Sequence, residues 1–430
     1  MRFFITLTLY RFILPLLFTA AFPGWIVKML RRGGFGTQLG ERAAIYTCPL
    51  EYEPCGVVHF HAVSVGESML ALKLIREWLV REPGRSFVLA TGTATGHAVA
   101  TAAQIPRLRV TYSPLDFPSM VRRYLNRFEP SQIVLIEGEV WPHLLLECER
   151  RKIPVRLVNA RMSPRSARRF ARFSQWLEPI YGLLDFVAIQ EAEDAGIWQA
   201  LGLASPNIHT TGSLKFDPSS GTPSVRRPEF ETMLDRFGEN RAVILAASTH
   251  AGEDAFIAKA IHEADPTALA VLVPRHAERR SEVTNDLEKA GFRVKLRSSE
   301  FTSSDAIRSV FVIDSTGELR DWTALADVVI IGKSFLSTGG QNPCEAILAG
   351  KPVIFGPHME NFQPLARRLV VSGGAISADD LQALSRAIRT TLDSHAAKIM
   401  TREASALLAF HEGATHRILD LLGAEKGPLF

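Results

Sequence analysis

The sequence predicts an α/β protein built from two doubly wound, Rossmann-like domains that face each other across a cleft. From residue 57 onward, apolar strand-like runs alternate with segments of helical spacing, the rhythm of a parallel sheet covered by helices. A polar stretch rich in Pro and Ser, residues 218–228, interrupts the series, and a second, similar series then begins. The 430 residues and 47% hydrophobic content are enough for two sizeable cores.

We expect three parts: an N-terminal apolar helix at 1–32, a first domain at 33–215 and a second at 216–430. Apolar runs predict the strands of the first domain at 57–60, 87–91, 108–112, 133–136, 155–158 and 186–189. The same pattern predicts strands of the second domain at 242–247, 269–273, 310–313, 328–331 and 352–355, and a last helix over 396–422.

The N-terminal segment is almost wholly apolar apart from Arg11 and ends in the basic residues Lys28, Arg31 and Arg32. It is long enough to cross a bilayer core of about 30 Å, but Arg11 and Pro15 equally favour a helix lying in the interface. The basic residues would keep the rest of the chain on the cytoplasmic side. A cleaved signal peptide is the alternative.

Charge and cysteine content narrow the class of partner. A net charge of +4 and a pI near 8.9 suit an anionic substrate or membrane surface, and no block of like charge indicates nucleic-acid binding. Cys48, Cys55, Cys148 and Cys344 have neither metal-ligand spacing nor the density of a disulfide scaffold. The absence of GxGxxG and Walker A sequences argues against a dehydrogenase or NTPase.

Glu67 lies where an apolar strand gives way to a helix, beside Ser64 and Gly66. Ligands of open α/β sheets bind outside the carboxyl ends of the strands, so Glu67 fits a general base, with Gly66 permitting a tight turn. The alternative is an acidic residue that merely favours the helix dipole.

Two further carboxylates, Glu137 and Glu139, follow another strand of the first half. Close carboxylates raise one another's pKa, which suits acid–base chemistry, whereas pairing with Arg161 would be a structural role. Arg161 opens an arginine-rich stretch that ends at Arg172. This stretch either meets phosphorylated lipid head groups or is a solvated helix face.

In the second half, a glycine-rich loop before a helix offers backbone amides, including that of Gly340, to a phosphate. Asn342 would cap the turn, Pro343 would occupy the first helical position, and Glu345 would accept hydrogen bonds from ribose hydroxyls. An ordinary glycine-rich loop with a capping Asn is the alternative.

Arg275 and His276 follow another strand of that half, where a guanidinium suits phosphate or carboxylate. A solvated helix start is the alternative, and His358 at the next strand end is either a ligand contact or structural. His59 and His61 share one strand face, but without a third ligand we expect packed histidines rather than a metal site.

Together these motifs resemble the 3-deoxy-D-manno-octulosonic acid (Kdo) transferases of lipopolysaccharide assembly, over nearly the whole chain. The segments that carry the resemblance are residues 61–67, 91–96, 141–142, 159–163, 212–217, 248–250, 274–276, 317–319, 339–345 and 356–358.

The resemblance implies a GT-B fold with an acceptor-binding first domain, a CMP-binding second domain, a membrane-associated N-terminus, and no metal or other cofactor. It implies transfer of Kdo from CMP-Kdo to a lipid A precursor with inversion, at the cytoplasmic face of the inner membrane, with Glu67 as general base. The donor set, read from the family and from the residues, is Lys215, Arg275, His276, Gly340, Asn342 and Glu345. The acceptor set is Ser64, Gly66, Glu137, Glu139 and Arg161.

Four residues depart from the family pattern: Gly138 replaces a Thr, His143 an Asn, Lys333 a Gly and Gln341 a His. Polar replacements at a site can shift substrate choice by orders of magnitude. The sequence therefore leaves open a sister glycosyltransferase with another activated sugar or acceptor, and a non-catalytic membrane-bound protein that binds a sugar nucleotide.

Overall fold

A computed structural model describes residues 2–31, 37–46, 56–162, 164–217, 225–238, 240–299 and 308–423. Cys48, Cys55, Ser163, the ends of the 1–32 segment and most of the 218–228 linker lie outside the described residues.

The described residues form two seven-stranded sheets in which every strand pairing is parallel. The first sheet has the order β3-β2-β1-β4-β5-β6-β7 and comprises β1 (Val58–Ala62), β2 (Phe87–Thr91), β3 (Leu108–Tyr112), β4 (Gln132–Ile136), β5 (Val155–Ala160), β6 (Phe186–Ile189) and β7 (Ile208–Thr210). The second has the order β10-β11-β9-β8-β12-β13-β14 and comprises β8 (Val243–Thr249), β9 (Leu269–Pro274), β10 (Arg293–Leu296), β11 (Ser309–Val312), β12 (Val328–Ile331), β13 (Val353–Phe355) and β14 (Ile376–Ser377).

Helices connect the strands. Those up to β7 are α1 (Arg2–Arg31), α2 (Thr37–Arg42), α3 (Val65–Arg81), α4 (Ala94–Ala102), α5 (Pro118–Phe128), α6 (Pro142–Arg151), α7 (Pro164–Arg172), α8 (Ser174–Tyr181) and α9 (Ala195–Ala200). Those that follow are α10 (Pro228–Asp235), α11 (Glu253–Ala264), α12 (Arg280–Lys289), α13 (Leu319–Leu325), α14 (Cys344–Leu348), α15 (Leu365–Ser372), α16 (Leu381–Leu392), α17 (Ser394–Ala409) and α18 (Ala414–Gly423).

The predicted doubly wound α/β architecture is confirmed, and the predicted strands are present. Three short strands, β7, β10 and β14, were not predicted. They contain polar, partly exposed residues, so they lack the continuous apolar run that marks a central parallel strand.

The chain divides into two compact units: Met1–Ser220 with His411–Phe430, and Gly221–Phe410. The last helix, α18, therefore belongs to the first unit and not to the second domain, where the sequence analysis placed it. Its apolar face, Ile418, Leu419 and Leu422, packs into the core formed by β1, β2, β4 and α3. The buried Arg156 guanidinium also donates to the Leu422 carbonyl at 3.1 Å.

Helix α1 is long and apolar enough over Phe4–Gly24 to cross a membrane, and only 6% of that stretch is buried. One side of the helix contacts the rest of the first unit. Tyr10 Oη donates to Asp116 Oδ2 at 2.8 Å, Thr6 Oγ1 donates to the Trp176 carbonyl at 3.0 Å, and Phe18 packs edge-on against Phe117. The helix also has large apolar side chains that are exposed, Phe4, Leu9, Phe12, Leu16 and Leu17, and of these Leu9, Phe12 and Leu16 lie on the side away from those contacts.

Candidate functional site

Glu67 lies in the first turn of α3, directly beyond the carboxyl end of β1. Its Oε2 accepts a hydrogen bond from Val63 N and its Oε1 accepts one from Ser64 Oγ, both at 2.8 Å. Ser64 is the N-cap of the helix and accepts the Glu67 backbone N–H in return. The carboxylate is therefore fixed in a reciprocal cap, and each of its oxygens keeps a lone pair.

Gly66 does not make the turn that the sequence analysis assigned to it. It is the second residue of α3 and is exposed, and an added Cβ would come no closer than 3.8 Å to Ser64 Oγ. The chain turns instead through the extended N-cap residue Ser64. The lack of a side chain at Gly66 leaves the N-terminus of α3 uncovered.

Glu137 and Glu139 are close enough to Glu67 for its charge to act on both. Burial, followed by the charge of Glu67, raises the pKa of each above its ordinary value. Arg161 and Lys215 oppose the shift at Glu137. The structure thus brings these five charged groups together in the first unit. It places Lys215, which the sequence analysis assigned to the donor set, near Glu137, which the sequence analysis assigned to the acceptor set.

The two strand histidines are packed in the core of the first unit. His59 Nδ1 and Tyr124 Oη are 2.9 Å apart, and the His61 ring packs against Tyr124. Burial lowers the pKa of His59 and lowers that of His61 to about 4, so both rings are neutral at pH 7. No cluster of three or more His, Cys, Asp or Glu side chains suited to a metal is found in the described parts of the chain.

The second unit contains a pocket of about 710 Å³. Arg275 and Glu345, both predicted donor contacts, line it. The other lining residues are Val225, Arg227, Thr316, Gly317, Leu319, Arg320 and Asp321. The pocket thus combines guanidinium groups with carboxylates, the groups suited to phosphate and to ribose hydroxyls.

Sequence analysis missed the role of Asp321 in this pocket. Asp321 Oδ2 pairs with Arg227 Nη2 at 2.5 Å, and its Oδ1 accepts Val225 N at 3.2 Å. Asp321 thus ties the segment that follows the linker to the pocket wall. Nothing local in the sequence marks it, because its partners lie almost a hundred residues earlier.

The amides of the glycine-rich loop are partly used within the protein. Gly339 N donates to Glu360 Oε2 at 2.6 Å, and Gly340 N donates to the Lys333 carbonyl at 3.0 Å. The expected cap is present, since Asn342 Oδ1 accepts Cys344 N at 3.1 Å. Pro343 precedes α14 as its N-cap residue and is not its first helical residue.

Glu253 organises the strand ends beneath this loop, a role that the sequence did not reveal. It is fully buried, and its carboxylate accepts backbone N–H bonds from His250 at 3.0 Å, Lys333 at 2.6 Å and Phe335 at 3.0 Å. These bonds join the ends of the neighbouring strands β8 and β12. The His250 ring is 6.4 Å from that of His276, the predicted donor contact after β9.

Two of the departures from the family pattern have clear structural settings. His143 is buried, its Nδ1 lies 2.5 Å from the Asp116 carbonyl oxygen, and its ring packs against Tyr10 of α1. It therefore connects α1 to the start of α6 and to the loop that contains Asp116. At Gly138 an added Cβ would meet only the Arg161 carbonyl, at 3.6 Å, so the position has room for a side chain.

Comparison with known proteins gives consistent results for the sequence and the fold. A family profile described as 3-deoxy-D-manno-octulosonic-acid transferase matches residues 37–218. The chain is 36% identical over 420 residues to the Bordetella pertussis 3-deoxy-D-manno-octulosonic acid transferase, covering 93% of this chain and 94% of that protein. It is 32% identical to the Haemophilus influenzae protein of the same name, covering 90% of each chain.

Solved structures share the fold. Anabaena Alr3699/HepE in complex with UDP superposes with a TM-score of 0.54 at 14% identity, covering 86% of this chain and all of that one. The Neisseria meningitidis UDP-GlcNAc 2-epimerase gives a TM-score of 0.55 at 12% identity, with 86% and 100% covered. The architecture is therefore that of the GT-B glycosyltransferases and related epimerases.

Proposed function

The chain belongs to the 3-deoxy-D-manno-octulosonic acid transferase family of glycosyltransferases, and we propose that it transfers Kdo from CMP-Kdo to a lipid A precursor with inversion. The observation that carries this proposal is the fixed carboxylate of Glu67 at the carboxyl edge of the first sheet. The charged pocket with Arg275 and Glu345 in the second unit supports a nucleotide donor.

In the proposed reaction, Glu67 accepts the proton of an acceptor sugar hydroxyl as that oxygen attacks the anomeric carbon of Kdo. The new C–O bond forms as the bond from the anomeric carbon to the phosphate oxygen breaks, and CMP leaves with the electron pair. Arg275 stabilises the charge that develops on the leaving phosphate. The reciprocal cap with Ser64 keeps the base in one orientation.

The direct test is transfer from CMP-Kdo to a tetraacyl lipid A precursor, with products resolved by mass. We expect Glu67→Gln to lower the rate by about 100-fold or more, the usual contribution of a general base. Glu77→Gln, the same charge change elsewhere on α3, is the matched control and should keep transfer.

The possible outcomes separate the base from the substrates. Full transfer by Glu67→Gln would move the role of base to another carboxylate, with Glu137 first. No transfer by a folded wild type that binds CMP would overturn the Kdo or lipid A assignment, and mass increments would count the sugars added.

We propose further that α1 lies in the membrane interface, with the globular part on the cytoplasmic side. The contacts of α1 with the first unit run from Thr6 to Phe18, about 18 Å of helix. A helix held along that length by a folded domain does not cross the hydrocarbon core over the same length. Trp176 of α8, which contacts α1, and Phe173, the residue before α8, are exposed apolar side chains. Exposed Arg168, Arg169 and Arg172 on α7 suit anionic lipid head groups.

Flotation with vesicles of phosphatidylethanolamine and phosphatidylglycerol tests this arrangement. The double variant Phe12→Asp, Leu16→Asp should lose most vesicle binding, because both side chains are about 70% exposed on the outer side of α1. Val371→Asp changes an exposed apolar residue of α15 in the same way and should bind as the wild type does. Equal binding by all three proteins would rule the interfacial helix out.

A further inference from the structure

Lys333 has a backbone conformation that normally belongs to glycine. It follows β12 with a φ of +56°, and a left-handed conformation costs a lysine about 1–2 kcal/mol. Its N–H donates to the buried Glu253 carboxylate and its carbonyl accepts Gly340 N, so the conformation is fixed from both sides. A residue that strains the backbone beside a candidate site indicates a role other than stability.

The Lys333 side chain extends over the glycine-rich loop. Its Cε lies 3.6 Å from the point that a Cβ on Gly339 would occupy. The ammonium is also near the His250 ring, whose pKa is lowered mainly by burial and further by the Lys333 charge. Within the described residues, no carboxylate lies within 4.0 Å of the Lys333 ammonium or of the Arg275 guanidinium.

The sheet order places these two cations on either side of the strand end that carries His250. Arg275 follows β9, His250 follows β8 and Lys333 follows β12, and β8 lies between the other two strands. Parallel strands are about 4.8 Å apart, so the backbones at Arg275 and Lys333 are roughly 10 Å apart. An anion over the end of β8 is thus within reach of both long side chains, at the edge where α/β sheets bind ligands.

We propose that Lys333 binds the phosphate of the donor nucleotide together with Arg275, an inference that rests on the proposed function. Phosphate is favoured over the sugar carboxylate because Arg275 also lines the pocket with Glu345, the group suited to ribose hydroxyls. In CMP the phosphate is bonded to the ribose, so a ribose bound by Glu345 brings the phosphate close to Arg275. Lys333 is then a donor-binding residue outside the donor set that the sequence predicted.

Titration calorimetry of the full chain with CMP and with cytidine tests the proposal. Lys333→Gly should weaken CMP binding about tenfold and leave cytidine binding unchanged, since a charge-assisted hydrogen bond to phosphate has about that effect. Lys333→Arg should restore most of the CMP affinity. Arg308→Gly is the matched control, because exposed Arg308 also has a positive φ, of +58°, but precedes β11 at the opposite edge of the sheet.

Three outcomes would overturn the proposal. Unchanged CMP affinity in Lys333→Gly would show that Lys333 does not contact the phosphate, and it would leave the proposed function intact. If that variant also had a raised KM for CMP-Kdo, Lys333 would be assigned to the sugar carboxylate. Equal losses for CMP and cytidine would show that Lys333 only shapes the loop. A wild type that binds UMP as tightly as CMP, or binds neither, would overturn the proposed donor itself.

Discussion

Ser64 and Glu67 hold each other at the start of α3: the serine hydroxyl donates to the carboxylate, and the glutamate N–H donates to the hydroxyl. The sequence allowed either a general base or an acidic residue that only stabilises a helix end. The structure shows the helix-capping geometry directly, and that geometry is compatible with a base, because the cap fixes the carboxylate without using all of its lone pairs. The Glu67 side chain can therefore stabilise the start of α3 and also act as the proposed base.

Gly66→Ala should stabilise the protein and impair transfer. Gly66 has helical geometry and open space, so the alanine should add about 0.5–1 kcal/mol to the free energy of unfolding. The new methyl group would narrow the uncovered N-terminus of α3, and we expect kcat/KM for the acceptor to fall about tenfold. Urea unfolding and transfer kinetics measure the two effects.

The matched control for that variant is Gly196→Ala. Gly196 is also the second residue of an exposed helix start, in α9, with nothing within 4 Å of an added Cβ. It should show a similar gain in stability with normal transfer. Normal transfer by both variants would mean that the acceptor does not approach Gly66.

Gly340→Ala should damage the glycine-rich loop more than its backbone angle alone explains. A Cβ at Gly340, where φ is +66°, would lie 2.5 Å from Met359 Sδ and 3.0 Å from the His358 carbonyl. We expect a loss of about 2–4 kcal/mol in the free energy of unfolding, from backbone strain plus overpacking, and weaker CMP binding. Gly350→Ala provides the comparison, because Gly350 has a φ of +69° with open space and should lose only about 1 kcal/mol. Equal losses of stability in the two variants would mean that residues 358–359 move away from the new methyl group at little cost.

Much of the fold could be predicted because buried parallel strands are continuous apolar runs. The buried strands at 87–91, 186–189 and 328–331 are predicted with the bounds that the structure has. The strand at 108–112 also has the predicted bounds, although it lies at the edge of its sheet and contains Arg109 and Thr111. The destination of α18 could not be predicted, since its amphipathic pattern specifies a buried face but not the core that receives it. Only contacts such as that between Arg156 and Leu422 assign it to the first unit.

At the site, the sequence identified residues whose chemistry is visible in their type, such as Glu67 and Arg275. It could not identify Glu253 as the acceptor of three amides, because those amides come from separate strand ends. It also could not give the left-handed conformation of Lys333, which depends on bonds to Glu253 and Gly340. Residue type therefore pointed to the chemistry, whereas tertiary contacts supplied the positioning.

Glu137→Gln should raise the melting temperature at pH 7.5 and leave it unchanged at pH 4. Burial and the charge of Glu67 raise the pKa of Glu137 in the folded state, so the ionised form is disfavoured on folding. The folded state then binds more protons than the unfolded state between the ordinary pKa of 4.5 and the raised value, and stability falls as pH rises through that window. Glutamine removes this penalty. Exposed Glu149 on α6 provides the control Glu149→Gln, and a pH-independent difference between the two variants would contradict the argument.

Asp217→Ala should release α18 from the first unit. The buried carboxylate accepts Gly413 N at 3.0 Å and Thr415 N at 2.6 Å, and thereby caps the helix start from a distant part of the chain. Removing it leaves two amides without that acceptor, which should cost about 2–4 kcal/mol in the free energy of unfolding and speed hydrogen exchange along α18. Asp420 on the same helix forms an ion pair with Arg81, and the Asp420 side chain is 69% exposed. Asp420→Ala should therefore lower the free energy of unfolding by less than about 1 kcal/mol. Equal rates of hydrogen exchange along α18 in the two variants would contradict this prediction. They would mean that the apolar face of α18 alone holds the helix on the first unit and that Asp217 does not contribute.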